Sequence, residues 1–61
     1  MEKRQVKTER GTICVVAEFK SSEEAMEHGF YYSFHSTDLN CHVFSKCLDD
    51  LGHHHQFALV R

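Results

Sequence analysis

The stretch GTICVVAEF, residues 11 to 19, restricts the fold more than any other part of this chain. Apolar side chains fill nearly every position instead of every second one. A strand of this kind has two faces to hide and belongs in the interior of a sheet. Strict alternation puts Ile13, Val15, Ala17 and Phe19 on one face and Cys14, Val16 and Glu18 on the other. With 61 residues in all, the chain has little else with which to cover both, and it is near the lower size limit for a single core.

One segment carries helix signals. In SSEEAMEHG, Ser21 as N-cap and Glu24 three positions later form a capping box, and Glu23 and Glu24 suit the positive end of the helix dipole. Gly29 supplies a left-handed residue after the last turn, and Phe30 beyond it can fold back on Ala25, the pattern of a Schellman ending. The expected helix covers about 21 to 28. At roughly two turns it has no stability of its own in water. Its small-featured stripe of Ser22, Ala25, Met26 and Gly29 suits close docking on a sheet.

The remaining periodicity is that of strands. FYYSFHS follows the helix, with Phe30, Tyr32 and Phe34 on one face and Tyr31, Ser33 and His35 on the other. VKTE, before Arg10 and Gly11, reads as a short edge strand. HVFSKCL and HHHQFALV flank Asp-Asp-Leu-Gly, a turn in which the aspartates start the bend and Gly52 takes positive φ, so they form a hairpin. A four-residue loop pairs Phe44 with Phe57 and Cys47 with His54. A three-residue loop with a glycine bulge pairs Cys47 with His55 instead. The first register is preferred because it collects Phe44, Leu48, Phe57 and Leu59 on one face.

The order of elements predicts a single α+β domain over 1–61, with residues 1–5 loose. Its core is a small, mostly antiparallel β-sheet of four or five strands with one short α-helix on one face. So short a helix leaves the opposite face bare, showing Cys14, Val16, Tyr31, Val43 and Val60. A second copy of the chain is the simplest cover, and a homodimer is expected, formed by sheet face or strand edge.

Composition removes several classes of function. The chain is 41% hydrophobic and 26% charged with no proline, a globular mixture and not a disordered one. No apolar run reaches the ~20 residues of a membrane helix, and MEKRQVKTER lacks the core of a signal peptide. Three cysteines make an odd number, which fits a reducing compartment better than a secreted disulfide scaffold. A cytoplasmic location is therefore expected.

Residues 41 to 60, CHVFSKCLDDLGHHHQFALV, hold the residue types of a metal site. Cys41 and Cys47 are six residues apart on a strand, roughly 20 Å, so they do not share an ion. Cys47 with His53, His54 and His55 is the better set, since either hairpin register brings an imidazole opposite the thiol. A tetrahedral zinc site on these residues still lacks ligands unless Cys14 or a second chain completes it. No cofactor is expected, with zinc as the alternative. Three consecutive histidines also attract nickel or copper in vitro. The Cys, His and Asp types of a hydrolase are present, yet two thin layers rarely enclose a pocket with an oxyanion donor. There is no Cys-x-x-Cys redox motif.

The net charge of −2 argues against general nucleic-acid affinity. Lys3, Arg4, Lys7 and Arg10 nevertheless make a basic arm that, with Tyr31 as a stacking ring, offers a route to single strands. The expected function is that of a non-enzymatic module that binds another protein, most simply itself. The alternatives are metal binding or thiol sensing at Cys47 and the histidine run, and nucleic-acid binding through the arm.

Overall fold

The computed structural model describes residues 3–52 and 54–61. It is a small, mostly β domain in which strands β1 (Arg4–Thr8) and β2 (Gly11–Phe19) precede helix α1 (Ser22–Glu27), and β3 (Tyr31–Ser36), β4 (Cys41–Cys47) and β5 (His55–Val60) follow it. The five strands form one sheet in the order β1-β2-β5-β4-β3. Arg4 and Gln5, from the segment expected to be loose, already belong to β1.

The expectation of a largely antiparallel sheet with one helix is met in outline and corrected at its centre. Pairs β1–β2, β3–β4 and β4–β5 are antiparallel, but β5 enters the gap beside β2 and runs parallel to it, so the sheet is mixed. The composition of β2 accounts for this placement. A strand with apolar side chains on both faces needs a neighbour on each side, and the hairpin supplies the second one.

The helix ends as its sequence dictates. Ser21 is extended at φ −145° and its side chain accepts from the Glu24 N–H, satisfying one orphan donor of the first turn. At the other end the Phe30 N–H donates to the Ala25 carbonyl at 3.0 Å and the Gly29 N–H to the Met26 carbonyl at 3.0 Å. Those two bonds are the Schellman pair, and they require the positive φ of Gly29, +87°. Ala25 is wholly buried and packs with Phe30 into a cluster formed with Val16, Phe44, Ala58 and Val60.

A second cluster, Val15, Phe34, Cys41, Val43 and Leu59, fills the face that the helix does not touch. Two bulges divide the side chains between these clusters. The β2–β5 register shifts between Val15 and Ala17, and the β3–β4 register between Tyr32 and Phe34. Each extra residue reverses the alternation beyond it. Val15 thus faces the second cluster while Ala17 and Phe19 pack on the first, so the four residues expected on one face of β2 are split. Phe30 and Phe34, likewise expected together, lie in different clusters.

The hairpin takes the register that sequence reasoning ranked second. Cys47 pairs with His55, Ser45 with Phe57 and Phe44 with Ala58. Phe44 therefore points to the helix and Phe57 away from it. Packing decides this. Beneath the helix Ala58 is fully buried against Ala25, a place where a phenyl ring would force the helix off the sheet. Leu48 falls outside the ladder and stays half exposed.

The helix-free face is closed by the sheet itself. Strands β1 and β3 are its opposite edges, yet Glu9, just after β1, reaches the end of β3. Its carboxylate accepts from the Ser36 hydroxyl at 2.7 Å, the Thr37 N–H at 2.6 Å and the Thr37 hydroxyl at 2.8 Å. The Arg10 guanidinium lies 4.8 Å from the centre of the Phe34 ring. The sheet is coiled into a partial barrel whose edges are clasped at one end, which is how Val15, Val43 and Leu59 reach 2%, 0% and 1% exposure with no helix over them. Hydrogen bonds, the Ser36 hydroxyl foremost, hold the Glu9 carboxyl at a pKa of about 2 against its usual 4.5.

Candidate functional site

The cysteine and histidine cluster at the β4–β5 hairpin is closed by its own loop. The Cys47 thiol donates to the Asp49 carbonyl at 2.8 Å. His54 Nδ1 lies 2.8 Å from Asp49 Oδ2, and His55 Nε2 donates to the Gly52 carbonyl at 2.9 Å. Cys47 and His55 are ladder partners. His53, the fourth member of the expected set, lies outside the described residues. Among the described residues no group of three or more His, Cys, Asp or Glu is placed to hold a metal ion.

The five residues expected on a bare face are dispersed. Val16, Val43 and Val60 are buried, in the clusters on opposite sides of the sheet. Cys14 is half buried beside the helix-side cluster. Tyr31 alone stands out, 67% exposed. It begins β3 and has Tyr32, 57% exposed, next to it.

The two sheet edges are chemically unlike. Edge strand β1, RQVKT, carries Arg4 and Lys7, and Arg4 pairs with Glu18 at 3.1 Å. Edge strand β3, YYSFHS, has no lysine, arginine, aspartate or glutamate. The basic residues expected to act as an arm are partly engaged: Arg4 in that ion pair and Arg10 over Phe34.

Sequence reasoning missed a row of rings on the helix side of β3 and β4. Tyr32 lies 5.7 Å from His42 and meets Phe44 edge-on at 5.6 Å, and His42 lies 5.0 Å from His35 at an interplanar angle of 65°. Unbroken alternation places Tyr32 and His35 on opposite faces. The β3 bulge unites them.

Two shallow hollows accompany these features. One, of about 250 Å³, lies along Arg4 and residues 15–18. The other, of about 260 Å³, lies between the helix end and the sheet, lined by Val16, Ala17, Phe19, His28, Phe30, Lys46 and Gln56. Phe19 stacks on His28 there at 5.0 Å, and the Lys46 ammonium donates to the His28 carbonyl at 3.4 Å.

Cys14, Cys41 and Cys47 are free thiols, and burial pushes the Cys41 thiol pKa up. No helix among the described residues is long and apolar enough to cross a membrane. No protein-family model, curated protein or solved structure matches the chain.

Proposed function

We propose that this protein is a non-enzymatic, intracellular binding module that recognises an added β-strand along its β3 edge, and that the strand comes from a second copy of the chain. One observation carries the reading: β3 is an edge strand without a charged aspartate, glutamate, lysine or arginine, flanked by the exposed rings of Tyr31 and Tyr32. Edges that must stay single are usually guarded by charge, as β1 is by Arg4 and Lys7. Along Tyr31 and Tyr32 the β3 edge has only its bulge, the charged side chains of Glu9 and Arg10 meeting the strand at its far end. An isologous β3–β3 contact would continue the sheet across a two-fold axis, with backbone hydrogen bonds giving affinity and the tyrosines giving apolar contact.

Of the two expected routes to a dimer, sheet face or strand edge, the burial of Val16, Val43 and Val60 inside the protomer favours the edge, and Tyr31, 67% exposed, stands on it. Three free thiols fit the reducing interior of a cell.

Sedimentation from micromolar to millimolar concentration tests this reading. The native chain should dimerise, and changing Tyr31 and Tyr32 together to Lys should give folded monomers, because both side chains are largely exposed in the protomer. A native chain that stays monomeric throughout, or a dimer indifferent to the double change, refutes it.

A further inference from the structure

We propose that His35 and His42 form a chelating site for a divalent late first-row cation of the zinc, nickel and copper class, bridging the edge strand β3 to its neighbour β4. The two histidines are direct partners in the antiparallel ladder. Both are exposed, so a hydrated ion can reach them from solvent. Their ring centres are 5.0 Å apart with the planes at 65°. An imidazole nitrogen binds zinc at about 2.0–2.1 Å, which puts the ion about 3.2 Å from each ring centre and sets two rings on one tetrahedral ion about 5.2 Å apart. The observed separation needs little adjustment to meet that.

An edge-to-face contact between neutral rings also falls in this range. Zinc itself distinguishes the two readings, since only a chelate gives both rings one binding midpoint. Two imidazoles directly opposite on an exposed sheet surface repel whenever both are protonated, and like charges in such cross-strand pairs destabilise a sheet. A bound cation converts the same pair into a link. The chain supplies two ligands, leaving the other coordination positions to water, so the ion exchanges readily and the preference among metals follows the general order with copper strongest. Tyr32, beside His42, covers one flank. The site is distinct from the hairpin run of His53, His54 and His55, whose described imidazoles, His54 and His55, are engaged within their own loop.

Because the pair exists only when β3 and β4 are in register, binding stabilises the fold and fastens an edge strand that has a neighbour on one side only. The site depends on the bulge between Tyr32 and Phe34, which sets His35 opposite His42.

Zinc chloride is the probe, added to a chain in which His53, His54 and His55 are changed to Gln so that the run contributes no imidazole. Calorimetry should find one zinc per chain, and imidazole nitrogen NMR should show His35 and His42 shifting with a common midpoint. The thermal midpoint should rise with zinc. His35→Gln and His42→Gln should each weaken binding roughly tenfold or more, and the double change should add little to either, since one chelate is lost in every case. Both side chains are exposed, so amide spectra should confirm that the variants keep their fold. Separate midpoints for the two rings, a loss below about threefold in either single variant, or a thermal midpoint indifferent to zinc overturns the site.

Discussion

Val43→Ala tests whether one protomer closes its own second core. Val43 is 0% exposed at the centre of the helix-free face, in contact with Val15, Phe34, Cys41 and Leu59. Removing two buried carbons loses about 1.6 kcal/mol of transfer free energy, and the incompletely filled cavity brings the total to about 2–2.5 kcal/mol. A domain of this size has an unfolding entropy of only about 0.13 kcal/mol/K, so the melting temperature should fall by about 15–20 °C. Calorimetry on both chains across a wide concentration range measures this directly. Self-association makes each melting temperature depend on concentration, but the difference between the chains should not. Leu51→Ala, at a loop side chain 77% exposed, should stay within about 0.5 kcal/mol. A drop for Val43→Ala of less than about 5 °C, or one that vanishes on dilution, would mean that a second chain and not the clasped sheet buries this residue.

The Glu9 clasp should appear in acid. Its carboxyl pKa is lower in the fold than the usual 4.5, so its stabilising effect is complete above that value and is lost as pH falls toward about 2. Denaturant titrations across this window should show a steeper decline for the native chain than for Glu9→Gln. Ser21→Ala removes the side chain that caps α1 and should cost about 1 kcal/mol, seen as a drop of about 5–8 °C in melting temperature. Iodoacetamide, followed by mass spectrometry, should modify exposed Cys47 readily and leave Cys41 untouched until the domain opens, because burial shields its thiol and disfavours the thiolate.

Local features were legible in the sequence because their causes are local. Ser21, Glu24, Gly29 and Phe30 determine the helix and both its ends within ten residues, and every strand was visible from its β-branched or aromatic run. What escaped depends on contacts between distant residues. Nothing in Val16 or Ser33 marks a bulge, since neither is a glycine, yet those two slips decide which side chains meet. The preferred hairpin register followed the sum of apolar residues on one face, while the protein is governed by the need for Ala58 rather than Phe57 under the helix. Glu9 read as the last residue of a short edge strand, and its role as a clasp was hidden because its partners are more than 25 positions away. The His35–His42 pair was hidden for a related reason: only the shifted β3–β4 register sets the two rings side by side.

The central position of β5 has a consequence for how the chain assembles. Without residues 55–60, β1–β2 and β3–β4 are two separate hairpins with no ladder between them, and the last strand in the sequence must slot into the gap to make one sheet. Its pairing with β2 closes a loop of about forty residues, and such long-range parallel contacts are entropically late and kinetically slow. Until that moment both hairpins offer an open inner edge, and a β5 strand from another molecule fits the gap as well as the chain's own. Refolding at high concentration should therefore yield strand-exchanged oligomers that refolding at high dilution does not.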